Sequence, residues 1–243
     1  MEFSPASKQW IPPAAILGLS LIVAALIAAY AFYNVHTLNN TLSVTGSATE
    51  ETKADSGKLT VSVSRLVFED GIAYAETKVA SDANATSAFF VKSGIDKEKV
   101  GISPVYVDQE YTSDNNAPRR YNVHGQVTIM SDDPSLIEKI SKNISTLSNQ
   151  GIVVSTQAPE YFVSTLPNMR IALIGKAIED AKRRAEAIAK ATGRGVGSLQ
   201  SAASGVVQVL APNSVDVADY GSYDTSTIDK TVMVTARATF YLR

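Results

Sequence analysis

From Ile11 to Tyr33 the sequence runs IPPAAILGLSLIVAALIAAYAFY without a charged side chain. As a helix this stretch rises about 34 Å, enough to cross a hydrocarbon core of about 30 Å. Its apolar residues, Leu17, Leu21 and Leu26 among them, fall on every side of that helix, unlike the one-sided stripe of a core helix. Trp10 and Ile11 open it and Tyr30, Phe32 and Tyr33 close it, which places aromatic rings where headgroups meet acyl chains. Pro12 and Pro13 suit its first turn. Residues 11–33 are therefore expected to form a transmembrane signal anchor, with membrane lipid as partner. Lys8 precedes the span and the next basic residue is Lys53. The positive-inside rule then leaves residues 1–10 in the cytoplasm and places the C-terminal domain outside, in the periplasm or at the cell surface. A cleaved signal peptide is the competing reading, because Ala29-Tyr30-Ala31 offers small residues at a spacing that signal peptidase accepts; the product would then be secreted.

Residues 34–41 are short and polar and read as a tether, which makes 42–243 the extracytoplasmic domain. Leu42, Val44, Gly46 and Ala48 alternate with polar residues, as do Leu59, Val61 and Val63, so both stretches read as half-buried strands. The turn residues Asp55-Ser56-Gly57 between them predict a hairpin. Over 71–93 the residues Ile72, Ala75, Val79, Ala83, Thr86, Phe89 and Phe90 recur at helical spacing, with Gly94 as C-terminal cap. Strands are expected over 100–111 and 121–130; in the second, Tyr121, Val123, Gly125, Val127 and Ile129 share one face. Asp133 and Pro134 open a helix that buries Leu136, Ile137, Ile140, Ile144 and Leu147 and closes at Gly151.

A strand over 152–165 leads to the longest helix, 168–192. It is expected to bury Ile171, Ile174, Ile178, Ala181, Ala185 and Ile188, with ion pairs Glu179–Arg183, Asp180–Arg184 and Glu186–Lys190 on its surface. Strands over 196–210 and 230–242 complete an α+β domain, a mostly antiparallel sheet packed by about three helices and preceded by the transmembrane helix.

The chemistry-bearing candidates are few. A net charge of -2 gives no electropositive face for nucleic acid. The absence of cysteine removes disulfides, thiolate metal sites and thiol nucleophiles. In KATGRGVGSL, the glycines Gly193, Gly195 and Gly197 follow a helix, whereas a phosphate-binding loop needs them before one, so they read as a cap and a turn and no cofactor is expected. Of the two histidines, His36 lies in the tether and His124 on the polar face of a strand, where a hydrogen-bonded structural role outweighs that of a catalytic base. Asp133 is explained by capping and Asp132 by solvent. Asp114, Asn115 and Asn116 lack the calcium-loop order of ligands, and no metal set has ligand spacing. The segment APNSVDVADYGSYDTSTIDK sets Asp216, Asp219 and Asp224 around Tyr220 and Tyr223, a candidate interaction loop with aromatic anchors.

Three stretches, VTGSATEETKAD, YNVHGQVTIMSDDPSLIEKI and ALIGKAIEDAKRRAEAIAKATGRGVGSL, give Leu42 to Arg243 a pattern that resembles the SIMPL domain family. The Ala-rich helix running into Gly193, with Gly195 and Gly197 after it, carries most of the resemblance. Ser47 and Ala48 stand where the family start is richer in glycine, and Arg120 stands where a glycine is common. The resemblance implies an exported bacterial or archaeal envelope protein that tends to ring-like or larger homo-oligomers. It also implies a loose link to oxidative and envelope stress, and brings no catalytic residues to carry over. A non-catalytic, membrane-anchored, self-assembling protein is the expectation; the alternatives are an envelope hydrolase using a Ser or Thr hydroxyl with His124, and a ligand-binding module.

Overall fold

The computed structural model describes residues 11–37, 40–111, 117–214 and 218–243, and of residues 11–14 and 34–37 the backbone alone. Helix α1 (Ile11–Thr37) is unbroken. Its window Ala15–Tyr33 is long and apolar enough to cross a membrane, with mean hydropathy 2.4 and none of it buried; a signal sequence would pass the same test. Leu17, Leu21, Leu26, Tyr30 and Tyr33 all face outward. Trp10 lies outside the described residues, as does the side chain of Ile11. The helix runs past the apolar stretch to Thr37, so residues 34–37, expected in the tether, are helical. Strand β1 begins soon after, at Thr41.

The rest of the chain is α+β. Its strands form a three-stranded sheet, β1 (Thr41–Lys53), β9 (Asp229–Leu242), β8 (Val196–Leu210), and a larger sheet whose order is β3 (Val100–Ile102), β5 (Arg120–Ser131), β2 (Ser56–Phe68), β6 (Val154–Thr156). On the larger sheet β4 (Tyr106–Gln109) also pairs with β5, and β7 (Glu160–Phe162) with β2. The helices are α2 (Ile72–Lys92), α3 (Pro134–Asn143) and α4 (Leu166–Ala191). The chain divides into two compact units, one of residues 47–176 with 205–235, the other of residues up to 46 with 177–204 and 236–243.

In the larger unit β2 and β5 pair antiparallel without a break from Gly57↔Ser131 to Phe68↔Arg120. Period-two alternation puts Leu59, Val61 and Val63 with Val123, Val127 and Ile129 at full burial, and α2 adds Ala75, Val79, Ala83 and Phe90 at helical spacing. Asp133 caps α3 by accepting a hydrogen bond from the Ser135 N–H at 2.9 Å, and α3 buries Ile137 and Ile140. Leu147 is buried from the 3-10 turn that follows, which Gly151 closes at φ 75°.

Three expectations are corrected here. β1 and β2 do not form a hairpin: the chain at Ala54-Asp55 passes from one sheet to the other, and the two N–H groups donate to Ile228 O and Phe162 O instead. The strand expected over 100–111 is two, parted at Ser103-Pro104-Val105, and that over 152–165 is two, parted at Gln157-Ala158-Pro159. In both gaps the proline lacks the N–H that a ladder requires.

The smaller unit is set by α4. At Gly46 an added Cβ would lie 2.1 Å from the Ala177 carbonyl oxygen and 2.3 Å from the Ala181 nitrogen, so helix and strand backbones approach where no side chain fits between them. The stripe that α4 buries is accordingly small-sided: after Leu173 come Ala177, Ala181, Ala185 and Ala189, four apart. Ala181 and Ala185 pack with Ala238, Phe240, Leu42, Val44 and Val196. Ile171 and Ile188, expected inside, are 72% and 47% exposed, because they lie off the face that the stripe Leu173 to Ala189 defines. Asp180 pairs with Arg184 at 2.7 Å and also with Arg183 at 3.3 Å, in place of Glu179. Lys182, not Lys190, meets Glu186, at 4.0 Å.

Candidate functional site

The segment between β8 and β9 folds back along the end of β8 and is pinned there by buried polar groups. Gln208, 4% exposed, donates through Nε2 to Ala218 O at 2.6 Å and accepts through Oε1 from the N–H and hydroxyl of Ser222, both at 2.8 Å. The backbone of Val209 exchanges hydrogen bonds with the segment, Val209 N–H to Ser222 O and Asp224 N–H to Val209 O. A turn that lets its backbone pass this close needs Gly221, at φ 88°, where a Cβ would stand 2.9 Å from Val207 O.

Behind it lies Lys230, whose side chain is fully buried. On β9 it is in phase with Val232 and Val234, and its ammonium donates to the Asp224 carbonyl at 2.5 Å and to the Asp224 carboxylate at 3.3 Å, 5.9 Å from the centre of the Tyr223 ring. Burial pushes the Lys230 pKa down, against the attraction of Asp224. Burial alone would raise the carboxyl of Asp224; hydrogen bonds from Ser226 and Thr227 and the charge of Lys230 outweigh it and hold that carboxyl well below the usual carboxylate range.

These contacts sort the five residues of the candidate loop. Tyr223 is committed to the fold: its hydroxyl accepts from Val163 N–H at 2.8 Å and its ring lies 6.2 Å from that of Phe162. Asp224 is likewise spent on Ser226, Thr227 and Lys230. Asp219 and Tyr220 face outward, Tyr220 at 98% exposure, and Asp216 lies outside the described residues. Beside the loop a cavity of about 590 Å³ is lined by Glu51, Lys53, Asn213, Ser214, Asp229 and Thr231, with Lys53 and Asp229 paired at 3.1 Å.

His124 stands on β5 opposite Ser64 of β2 in one direction and Tyr106 of β4 in the other. Its Nδ1 is buried without a hydrogen-bond partner among the described residues, 3.6 Å from Asp108 Oδ2, and its ring lies 5.8 Å from that of Tyr106. A Ser-His-Asp set needs hydrogen bonds along the chain of three, and the His–Asp distance exceeds that range. Asp132 pairs with Lys99, and Asp114, Asn115 and Asn116 lie outside the described residues.

Two buried polar clusters were not singled out in the sequence. Asp82, 2% exposed, accepts from Arg65 at 2.6 Å and Lys78 at 2.9 Å; the Lys78–Asp82 spacing of four was its only local signal. Lys230 was legible as a lysine in phase with inward valines.

The family model described as SIMPL, a protein of unknown function (DUF541), matches residues 42–240. No curated protein matches the sequence significantly.

Proposed function

The chain belongs to the SIMPL family, whose function is unknown, and from that premise we propose that it is a membrane-anchored extracytoplasmic protein that assembles with copies of itself and turns over no substrate. The observation that carries this reading is α1, an apolar helix of spanning length with every described side chain of its apolar window exposed. In water such a surface is unfavourable at roughly 25 cal/mol per Å² of apolar area, and a bilayer removes that cost. Anchoring in turn confines copies to one plane and raises their effective concentration, so weak contacts between outer domains suffice. The orientation, residues 1–10 in the cytoplasm and the domain outside, rests on Lys8 standing before the span. A setting in the cell envelope, linked to envelope or oxidative stress, belongs to the same proposal and rests on what the family resemblance implies.

That nothing is turned over rests on the residues themselves: Asp224 and Lys230 are held by each other, the Tyr223 hydroxyl is taken up by the Val163 N–H, and the buried Nδ1 of His124 has no hydrogen-bond partner among the described residues. The test is the mass of the full chain extracted from membranes, with and without residues 215–228. A mass of two or more copies is expected. A strict monomer, in detergent and after reconstitution, would overturn the proposal. The hydrolase reading predicts that His124→Ala abolishes labelling by a serine-directed activity probe; the ligand-binding reading predicts ligand-dependent thermal stabilisation.

A further inference from the structure

We propose that two copies of this chain join through the open edge of β8, residues Ser198–Ser204, with the two strands antiparallel and centred on Ser201. This deepens the self-association proposed above and rests on it. Among the described residues, β8 has a neighbouring strand, β9, on one side only. Along its other side the protein covers the C-terminal end itself, the loop taking both backbone groups of Val209 at 2.8 and 2.7 Å. None of the described turn and loop hydrogen bonds reaches 198–204, and all seven of those residues are exposed, whichever face of the strand they occupy.

A strand edge left open in this way presents a row of N–H and C=O groups to any other strand, and proteins that stay apart guard such edges with charges or proline. β8 has neither: from Val196 to Leu210 there is no charged residue and no proline. On the opposite edge of the same sheet, β1, the charged residues Glu50, Glu51 and Lys53 stand at the C-terminal end and Thr41–Thr49 carry none, but those residues are mostly half-buried, whereas Ser198–Ser204 are exposed throughout.

The character of the strand points to its own copy as the occupant. An edge without charge offers nothing to select a charged partner strand. Paired antiparallel with itself about Ser201, it sets Ser198 opposite Ser204, Leu199 opposite Ala203 and Gln200 opposite Ala202. Hydroxyl then faces hydroxyl and each long side chain faces a methyl group, the pairings a two-stranded ladder accepts without crowding. The contact is isologous, so it closes at two copies and leaves no free β8 edge.

The chain has no cysteine, so single-cysteine variants of the full-length protein in membranes test the register directly. Across a two-fold axis at position 201, two copies of Ser201→Cys lie within disulfide reach. Two copies of Ser198→Cys, or of Ser204→Cys, stand roughly 20 Å apart, beyond the limit of about 7 Å between Cα atoms. Oxidation is expected to give dimers at 201 and several-fold fewer at 198 and 204. Ala202→Lys, which sets like charges near the axis, is expected to lower the mass of the extracted particle while leaving its melting temperature unchanged. Equal yields at all three positions, or a 201 link to some other protein, would overturn the proposal. Dimers through Tyr220→Cys with none through β8 would overturn it while leaving self-association standing. A monomer without links at any position would overturn both.

Discussion

At Gly46 a hydrogen in place of a methyl group decides how closely α4 approaches β1. Because the atoms a Cβ would strike belong to the backbone of Ala177 and Ala181, no rotamer change relieves the clash. Gly46→Ala is expected to destabilise the domain that follows α1 by at least about 1–3 kcal/mol, the range for overpacked sites, read from its urea midpoint. A second residue-scale effect comes from acids. Burial would raise the carboxyls of Asp55, Asp82 and Asp224, but hydrogen bonds from Ser164, from Arg65 and Lys78, and from Ser226 and Thr227 respectively outweigh it and lower each below its ordinary value. In the folded state these groups hold fewer protons than the unfolded chain does near an unfolded carboxyl pKa of about 4. Their stabilisation is therefore complete above that pH and is lost as pH falls toward the depressed folded values. The melting temperature is expected to hold from neutral pH to about pH 5 and to drop below about pH 4. Asp224→Asn should shallow that drop, and at neutral pH should cost about 1–3 kcal/mol by leaving Lys230 less well satisfied. An unchanged acid limb in Asp224→Asn would show that this carboxylate is not part of it.

At the scale of elements, α4 buries Ala181 and Ala185 as its sequence predicts but turns Ile171 and Ile188 outward. Ile171→Lys is expected to leave stability within about 0.5 kcal/mol, since its side chain is exposed, whereas Ala181→Leu should cost about 1–3 kcal/mol by forcing bulk into a buried stripe. Thermal melts of the two variants check the pair. The expected stripe mixed isoleucines with alanines, but how close the helix comes is fixed by Gly46 on strand β1, and a window along one helix does not contain that information. The same limit explains the false hairpin. Asp55 does sit in a turn, yet its carboxylate accepts from Ser164 N–H at 2.9 Å, a partner 109 residues away, and the chain uses the turn to change sheets. Local signals were sufficient where local chemistry decides: the Asp133 cap, the end of α4 at Gly193 with φ 71°, and the alternation in β5. In the candidate loop, aromatic and acidic composition marked the segment, but which tyrosine turns inward depends on Val163 and Phe162, which lie far away in sequence.

For the whole molecule, the anchoring proposed for α1 sets the expectations. The full chain is expected to stay in the membrane fraction through alkaline carbonate washing, and a variant starting at Asn40 to be released. Protease added from the outer side should remove the domain and leave the anchor. Protection from such protease, or release of the intact chain by carbonate, would reverse the topology or abolish the anchor.

The short span between α1 and β1 has a geometric corollary. From Thr37, where the helix ends, to Thr41, where the strand begins, four peptide units reach at most about 14 Å. With the anchor seated in lipid, the first strand of every copy is leashed within one narrow layer above the bilayer surface. Neighbours that drift together arrive at matching heights, and a flexible insert at position 38 would dissolve that alignment while leaving each domain intact.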